Sequence, residues 1–311
     1  MNGKFPLWPS VSWVAVLALL LTQAPVSAAT LTQGTLAAWE AYVQAARSRL
    51  EQSLQPGRRF LSIDEDKSLA AKIRAGEPVV FPSDRTPQRV PSGLIHDWEG
   101  IAFIPNAQID DVLSVVRDYA HYTEFYHPGV LDCKVVGNSG LPNDGVLNNG
   151  LKDRFSMLLV NKTLVSRTAL DGDYESSYVR LDDHRWYSIS EATRIQEIEN
   201  YGMHQQHTLS EHEGTGLIWK LLSITRFEQR DGGVYIELQA LALSRDIPSS
   251  FRWVVTPIVR RISKASLLTS LQQTSEAVYS RNSIAVHTAS SERHISASQT
   301  GISASAVSSF H

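Results

Sequence analysis

The stretch WKLLSITRFEQRDGGVYIELQALALSR, residues 219–245, decides the architecture. Asp231-Gly232 stands between two runs rich in β-branched, aromatic and aliphatic residues, which is a strong signal for a two-residue hairpin turn. The turn sets Arg230 opposite Gly233. Phe227 then faces Ile236, Thr225 faces Leu238, Ser223 faces Ala240, Leu221 faces Ala242 and Trp219 faces Ser244. Directly opposed residues point the same way, so these pairs share one face. The other face carries Arg226 opposite Glu237, Ile224 opposite Gln239 and Lys220 opposite Leu243. The first face is apolar with small gaps; the second is mixed and reads as the wetter one. A slip of one residue would scramble both.

Working outward, Leu94 to Ile104 reads as a strand that stops at Pro105. Residues 107–125 read as helical, with Ile109, Val112, Val115 and Val116 on one face and Asp110 and Asp111 in the first turn, where the helix dipole favours acids. A break at Asp118-Tyr119 divides this stretch into two short helices. The runs 130–136, 152–160, 163–171, 174–182 and 185–199 precede the hairpin as strands. After Pro248, residues 249–281 form a long helix with Val254, Ile258, Ile262, Ala265, Leu268, Leu271, Ser275 and Val278 as its apolar stripe; Pro257 marks a break or kink. The order defines an α+β chain: a curved antiparallel sheet wrapped around a long C-terminal helix, with an N-terminal helical extension. Long strands around one helix leave room for a cavity.

The ends read differently. Residues 1–28 have the form of a secretory signal: Lys4, an apolar run from Val11 to Leu21, then small residues at Ser27, Ala28 and Ala29. That run is shorter than the ~20 residues needed to span a bilayer. Residues 29–92 form an N-terminal helical extension and a Pro-rich linker. Its first helix carries Leu36, Trp39, Val43, Ala46, Leu50 and Leu54 at three- and four-residue steps and ends at Pro56-Gly57. A short helix follows at 66–75, and Pro78 to Pro91 reads as irregular linker. Residues 93–281 make the main domain, and the Ser-rich tail 282–311 reads as disordered.

Composition narrows the function classes. The 311 residues hold 29 Lys plus Arg against 32 Asp plus Glu, a net charge of −3, which gives no electrostatic reason to expect nucleic acid. Cys133 is the single cysteine, so no intrachain disulfide and no multi-thiolate zinc site can form.

The order of elements resembles the START-like, or SRPBCC, superfamily with its helix-grip fold, which includes lipid-transfer domains, polyketide cyclases and dehydratases, and ubiquinone-binding proteins. GLIHDWEGIAFIPNAQIDDVLSVVRDYAHYTEFYHPGV (93–130) and GTGLIWKLLSITRFEQRDGGVYIELQALALSRDIPSSF (214–251) resemble an exported bacterial branch of it. The resemblance runs from Leu94 to Tyr279. It implies the fold and a hydrophobic cavity, and no particular reaction.

The chemical constellations are sparse. His204, His207 and His212, with Glu211 and Glu213, are the densest polar cluster, but their spacing matches no zinc pattern and an exposed loop is the simpler reading. His121 and His127 flank Tyr122, Phe125 and Tyr126. Arg154, Arg167, Arg194 and Arg226 fall in strands, where a buried guanidinium would hold the carboxylate or phosphate head of an amphiphile and an exposed one would join a cross-strand pair. No Gly-x-Ser-x-Gly elbow or phosphate-binding glycine loop occurs, and no cofactor is called for.

Binding of a hydrophobic small molecule or lipid therefore ranks above catalysis. The expected lining is Trp186, Trp219, Leu221, Ser223, Thr225, Leu238, Ala240, Ala242, Ile258 and Ile262. Transient membrane contact belongs to such a role. The alternative is a cyclase- or dehydratase-like enzyme using the same cavity, which would need an acid/base pair; two or more of His, Asp, Glu and Tyr in mutual contact within the cavity would favour it.

Overall fold

The computed structural model describes residues 31–83, 87–138, 151–162, 167–211, 218–247 and 252–305. At its centre Asp231 and Gly232 both take positive φ, 54° and 79°, the backbone a type I′ turn requires. The turn joins β9 (Lys220–Arg230) to β10 (Gly233–Arg245) in the expected register, with Arg230 opposite Gly233 and Ser223 opposite Ala240. β10 continues onto β3 (Gly93–Pro105), and β9 onto β7 (Arg185–Glu199). β6 (Arg167–Arg180), β5 (Leu151–Lys162) and β4 (Val130–Asn138) complete that side. The runs 163–171 and 174–182 thus meet in one strand across Gly172-Asp173, absorbed by an irregularity between Asp173 and Tyr174. The short strand β8 (His207–Thr208) pairs with β7.

The Pro-rich stretch is not wholly irregular. β1 (Val79–Pro82) and β2 (Gln88–Val90) both pair with β3 at the sheet edge. Pro82 ends an edge strand, a position that needs no further ladder donor.

Helices cover both faces. α1 (Gln33–Ser53) starts at Thr32, whose hydroxyl accepts from Thr35 N, and Thr35 Oγ1 donates to Pro91 O at 2.6 Å. Its Trp39, Val43, Ala46 and Leu50 pack on Ile95, Leu222, Ile224, Leu241 and Leu243, on the convex face. A 3-10 turn at Ser62–Glu65 and α2 (Lys67–Arg74) follow, with Phe60, Leu61, Ile63 and Ile73 closing over Ile101, Phe103 and Tyr235. The mixed hairpin face is therefore not wet: Leu222, Ile224, Leu241 and Leu243 are at most 2% exposed. The N-terminal extension, whose face could not be assigned from local pattern, removes it from water.

The concave face receives α3 (Ile109–Val116), the small helix α4 (Tyr122–Phe125) and the long C-terminal helix α5 (Arg252–Ser305). Leu267, Leu271, Ala277 and Val278 of α5 pack with Trp98, Ala102, Ile104, Phe227 and Ile236. Two expectations for this helix change. It continues to Ser305 where a disordered tail was expected; residues 283–300 hold no Pro or Gly, and extending an existing helix costs far less than starting one. Its buried line runs through Leu267, Leu271, Thr274 and Val278, while Ile258 and Ile262 are 45% and 39% exposed. At 1.5 Å per residue the helix is roughly 80 Å long and outruns the sheet.

Candidate functional site

Alternation along the hairpin places Leu221, Ser223, Thr225, Leu238, Ala240 and Ala242 on the concave face. Every one of them is half-buried; α5 packs on the same face of the sheet over β3 and β1. Their neighbours on the convex face are fully buried beneath α1. Trp186 joins the same concave surface through its pairing with Phe227, and Ser188 and Ser190 lie opposite Thr225 and Ser223. Small side chains thus line a stretch of the concave face that keeps accessible surface beside the line where α5 packs on β3 and β1.

Other expected lining residues lie elsewhere. Trp219 precedes β9 and packs with Trp39 and Leu243 on the convex side, because its backbone N–H bonds Leu243 O outside the hairpin ladder. Ile258 and Ile262 point into solvent, beyond the reach of the sheet.

An aromatic wall closes one end. Tyr119 and Phe155 stack with centroids 4.2 Å apart, Phe155 and Tyr174 at 5.3 Å, and Tyr122 meets Tyr126 edge-on at 4.8 Å. Leu221, Met157 and Leu159 pack against this group. Cys133 lies within it, its thiol pushed up to about 12 by burial and the nearby Asp132, which makes it a packed side chain and no nucleophile.

Behind the wall sits a polar knot absent from the sequence reading. Asp153, 1% exposed, accepts from Arg117 Nε at 2.8 Å and Nη2 at 2.9 Å, and from Tyr119 OH at 3.2 Å. Tyr119 and Tyr178 hydroxyls lie 3.1 Å apart, and Tyr178 OH also donates to Val116 O at 3.1 Å. Two phenolic protons therefore serve three contacts. Desolvation raises the pKa of Tyr119 and of Tyr178, so neither phenol is a base near neutrality. The available signal was parity: Asp153 shares its face with Leu151 and Phe155. Its partner Arg117 lies in a different element and gave no local cue. At the other end, His96 Nε2 lies 3.0 Å from Ser244 Oγ, opposite Ala242, and burial lowers the imidazole pKa, favouring the neutral ring.

Two of the strand arginines take the cross-strand role. Arg226 pairs with Glu237 at 2.5 Å and Arg194 with Asp173 at 2.6 Å. Arg154 is exposed, and the Arg167 side chain lies outside the described residues. His204 is exposed, His207 sits 3.4 Å from Glu199, and His212 and Glu213 lie outside the described residues.

On the convex face Asp97, Glu99 and Glu237 form a second polar group. Asp97 accepts from Tyr42 OH at 2.8 Å and from Gln239 Nε2 at 3.0 Å. Glu237 accepts from both the backbone N and the hydroxyl of Ser62 at 2.7 Å. Desolvation, with Glu237 and Asp97 nearby, pushes Glu99 up to about 7. These bonds tie the N-terminal segment to the sheet.

No protein-family model matches the chain, and no curated protein matches it. The chain is similar in shape to solved structures. One is the protein TTHA0849 from Thermus thermophilus, at 14% identity and TM-score 0.40, covering 59% of this chain and 97% of that one. A second is a STAR-related lipid transfer protein from Xanthomonas axonopodis, at 15% identity and TM-score 0.39, covering 65% and 97%. A third is the Zhui aromatase/cyclase from Streptomyces, at 12% identity and TM-score 0.35, covering 60% and 95%. The chain's own architecture, a curved antiparallel sheet gripping a C-terminal helix, is a helix-grip α+β fold.

Proposed function

We propose that this chain is an exported binding or transfer protein for a hydrophobic, lipid-like or aromatic small molecule, held between α5 and the concave face. One observation carries the reading: Leu221, Ser223, Thr225, Leu238, Ala240 and Ala242 keep accessible surface on the concave face, beside the line where α5 packs on β3, while the opposite face of the same hairpin is sealed. A concave, mostly apolar surface with a few polar groups at its ends suits the orientation of such a guest. The aromatic wall supplies flat apolar contact, and His96 with Ser244 offers a polar end. Export rests on the form of residues 1–28, which lie outside the described residues.

The test is titration of the purified chain with a fluorescent apolar probe, alongside mass spectrometry of what copurifies from the native host. Saturable binding of one probe per chain is expected. Absence of any saturable binding ends the reading.

The Tyr119–Tyr178–Asp153 contact favours a second reading, a cyclase- or dehydratase-like enzyme. It ranks below binding because Arg117 already neutralises Asp153 and all three groups are buried. Turnover lost in Tyr119→Phe with probe affinity retained would reverse that order.

A further inference from the structure

The first turns of α5 are amphipathic and lie off the sheet. Val255, Ile258, Val259 and Ile262 recur at the spacing of a single helical stripe. At 3.6 residues per turn, that stripe is rotated by roughly 140° from the buried line through Leu267, Leu271 and Val278. Ile258 and Ile262 are accordingly among the exposed large hydrophobics. Arg260, Arg261 and Lys264 occupy the opposite side and are exposed. From Ile247 to Ser275 the chain carries Arg252, Arg260, Arg261 and Lys264 and no acidic residue, although the whole chain is net negative.

We propose that residues 252–264 of α5 form a docking surface for an anionic lipid bilayer, lying in the plane of its headgroups. An apolar stripe opposite a basic polar face is the composition of an interfacial helix. The charge favours an anionic surface over a second copy of this acidic chain, because each basic residue near such a surface contributes favourably while two like-charged chains repel. Among the described residues no helix is long and apolar enough to cross a membrane, so the segment lies on the bilayer and does not span it. The proposal does not rest on a guest in the concave face: the two surfaces share no residue.

The experiment is co-sedimentation of the full chain with vesicles of equal parts phosphatidylcholine and phosphatidylserine, and with vesicles of phosphatidylcholine alone. Binding to the anionic vesicles is expected, weakened by added salt. Arg261→Ala with Lys264→Ala should lower the affinity roughly thirtyfold, the effect of two basic residues near an anionic surface. Ile258→Glu with Ile262→Glu should abolish binding, while thermal unfolding and binding of the apolar probe stay as in wild type, because both positions are exposed. Equal affinity for both vesicle types, or binding that survives the Ile258→Glu, Ile262→Glu variant, overturns the proposal. So does a chain that ignores both vesicles and forms a dimer lost in that variant, which would assign the stripe to a second copy.

Discussion

Leu271 of α5 sits directly over Gly100 of β3: a Cβ at Gly100 would come 2.8 Å from Leu271 Cδ1 and 3.2 Å from Leu267. The helix packs closely on β3 here, and the half-buried hairpin surface lies to one side of this contact. Because Leu271 is 2% exposed, it has little room to retreat. Gly100→Val should therefore destabilise by about 1–3 kcal/mol through overpacking. Leu271→Ala alone should cost about 2–5 kcal/mol, and less in the Gly100→Val background, where the added methyls occupy the space it vacates. Urea unfolding of the four proteins measures the coupling. Simple additivity would mean that Gly100 does not set the helix height.

The Arg117–Asp153 pair gives a second expectation. Removing one partner of a buried ion pair leaves an uncompensated charge, whereas removing both can be nearly neutral. Arg117→Ala should cost about 3–5 kcal/mol. Arg117→Met combined with Asp153→Leu should recover most of that loss. If the double variant is as unstable as Arg117→Ala, the tyrosine hydroxyls and not the ion pair hold this corner together.

Glu99 predicts a pH dependence. Its folded pKa is raised to about 7 from 4.5, chiefly by desolvation and then by Glu237 and Asp97; Arg226 and Arg49 oppose this only in part. The folded chain therefore binds its proton more tightly than the unfolded chain. The linked stability is fully present below about 4.5 and is lost as pH rises through about 7. Glu99→Gln should raise stability above that window, by on the order of 2 kcal/mol, and flatten the profile across it. Denaturant midpoints of wild type and variant across the window decide the matter; parallel profiles would assign the slope to other groups.

Local chemistry made much of this legible. Asp231-Gly232 specifies positive φ at two successive positions, so the hairpin register follows from two residues. Trp39, Val43, Ala46 and Leu50 show the helical period of α1, and these are the side chains it buries. The partner of each surface was not legible. Leu222, Ile224, Leu241 and Leu243 alternate with concave-face residues, and nothing nearby states that α1, distant in sequence, covers them. Along α5 the expected stripe keeps Leu271 and Val278, which are buried, but its first half, through Ile258 and Ile262, runs where the sheet does not cover it. Trp219 was placed by extrapolating strand alternation past the last paired residue, Lys220. In the candidate site the small residues Ser223, Ala240 and Ala242 could be read from parity alone. Asp153 needed Arg117, and that contact exists only after folding.

Ala240 provides the sharpest check on the proposed site. It lies opposite Ser223 on β9 and Trp98 on β3, half-buried, on the concave face. Ala240→Trp places an indole in the space over Ser223. If a guest occupies that space, the indole takes its place: affinity for the fluorescent apolar probe should fall by at least tenfold, with only a modest change in unfolding midpoint. If instead the surface is closed in solution, the indole must displace Trp98 or α5, and overpacking should cost about 1–3 kcal/mol or more. Leu222→Ala is the control, since Leu222 is buried on the convex face beneath α1. It should lower stability by about 2–5 kcal/mol while the remaining folded protein keeps its probe affinity. A wild-type chain that binds no probe, together with an Ala240→Trp variant that unfolds readily, would show that α5 and the sheet enclose no guest.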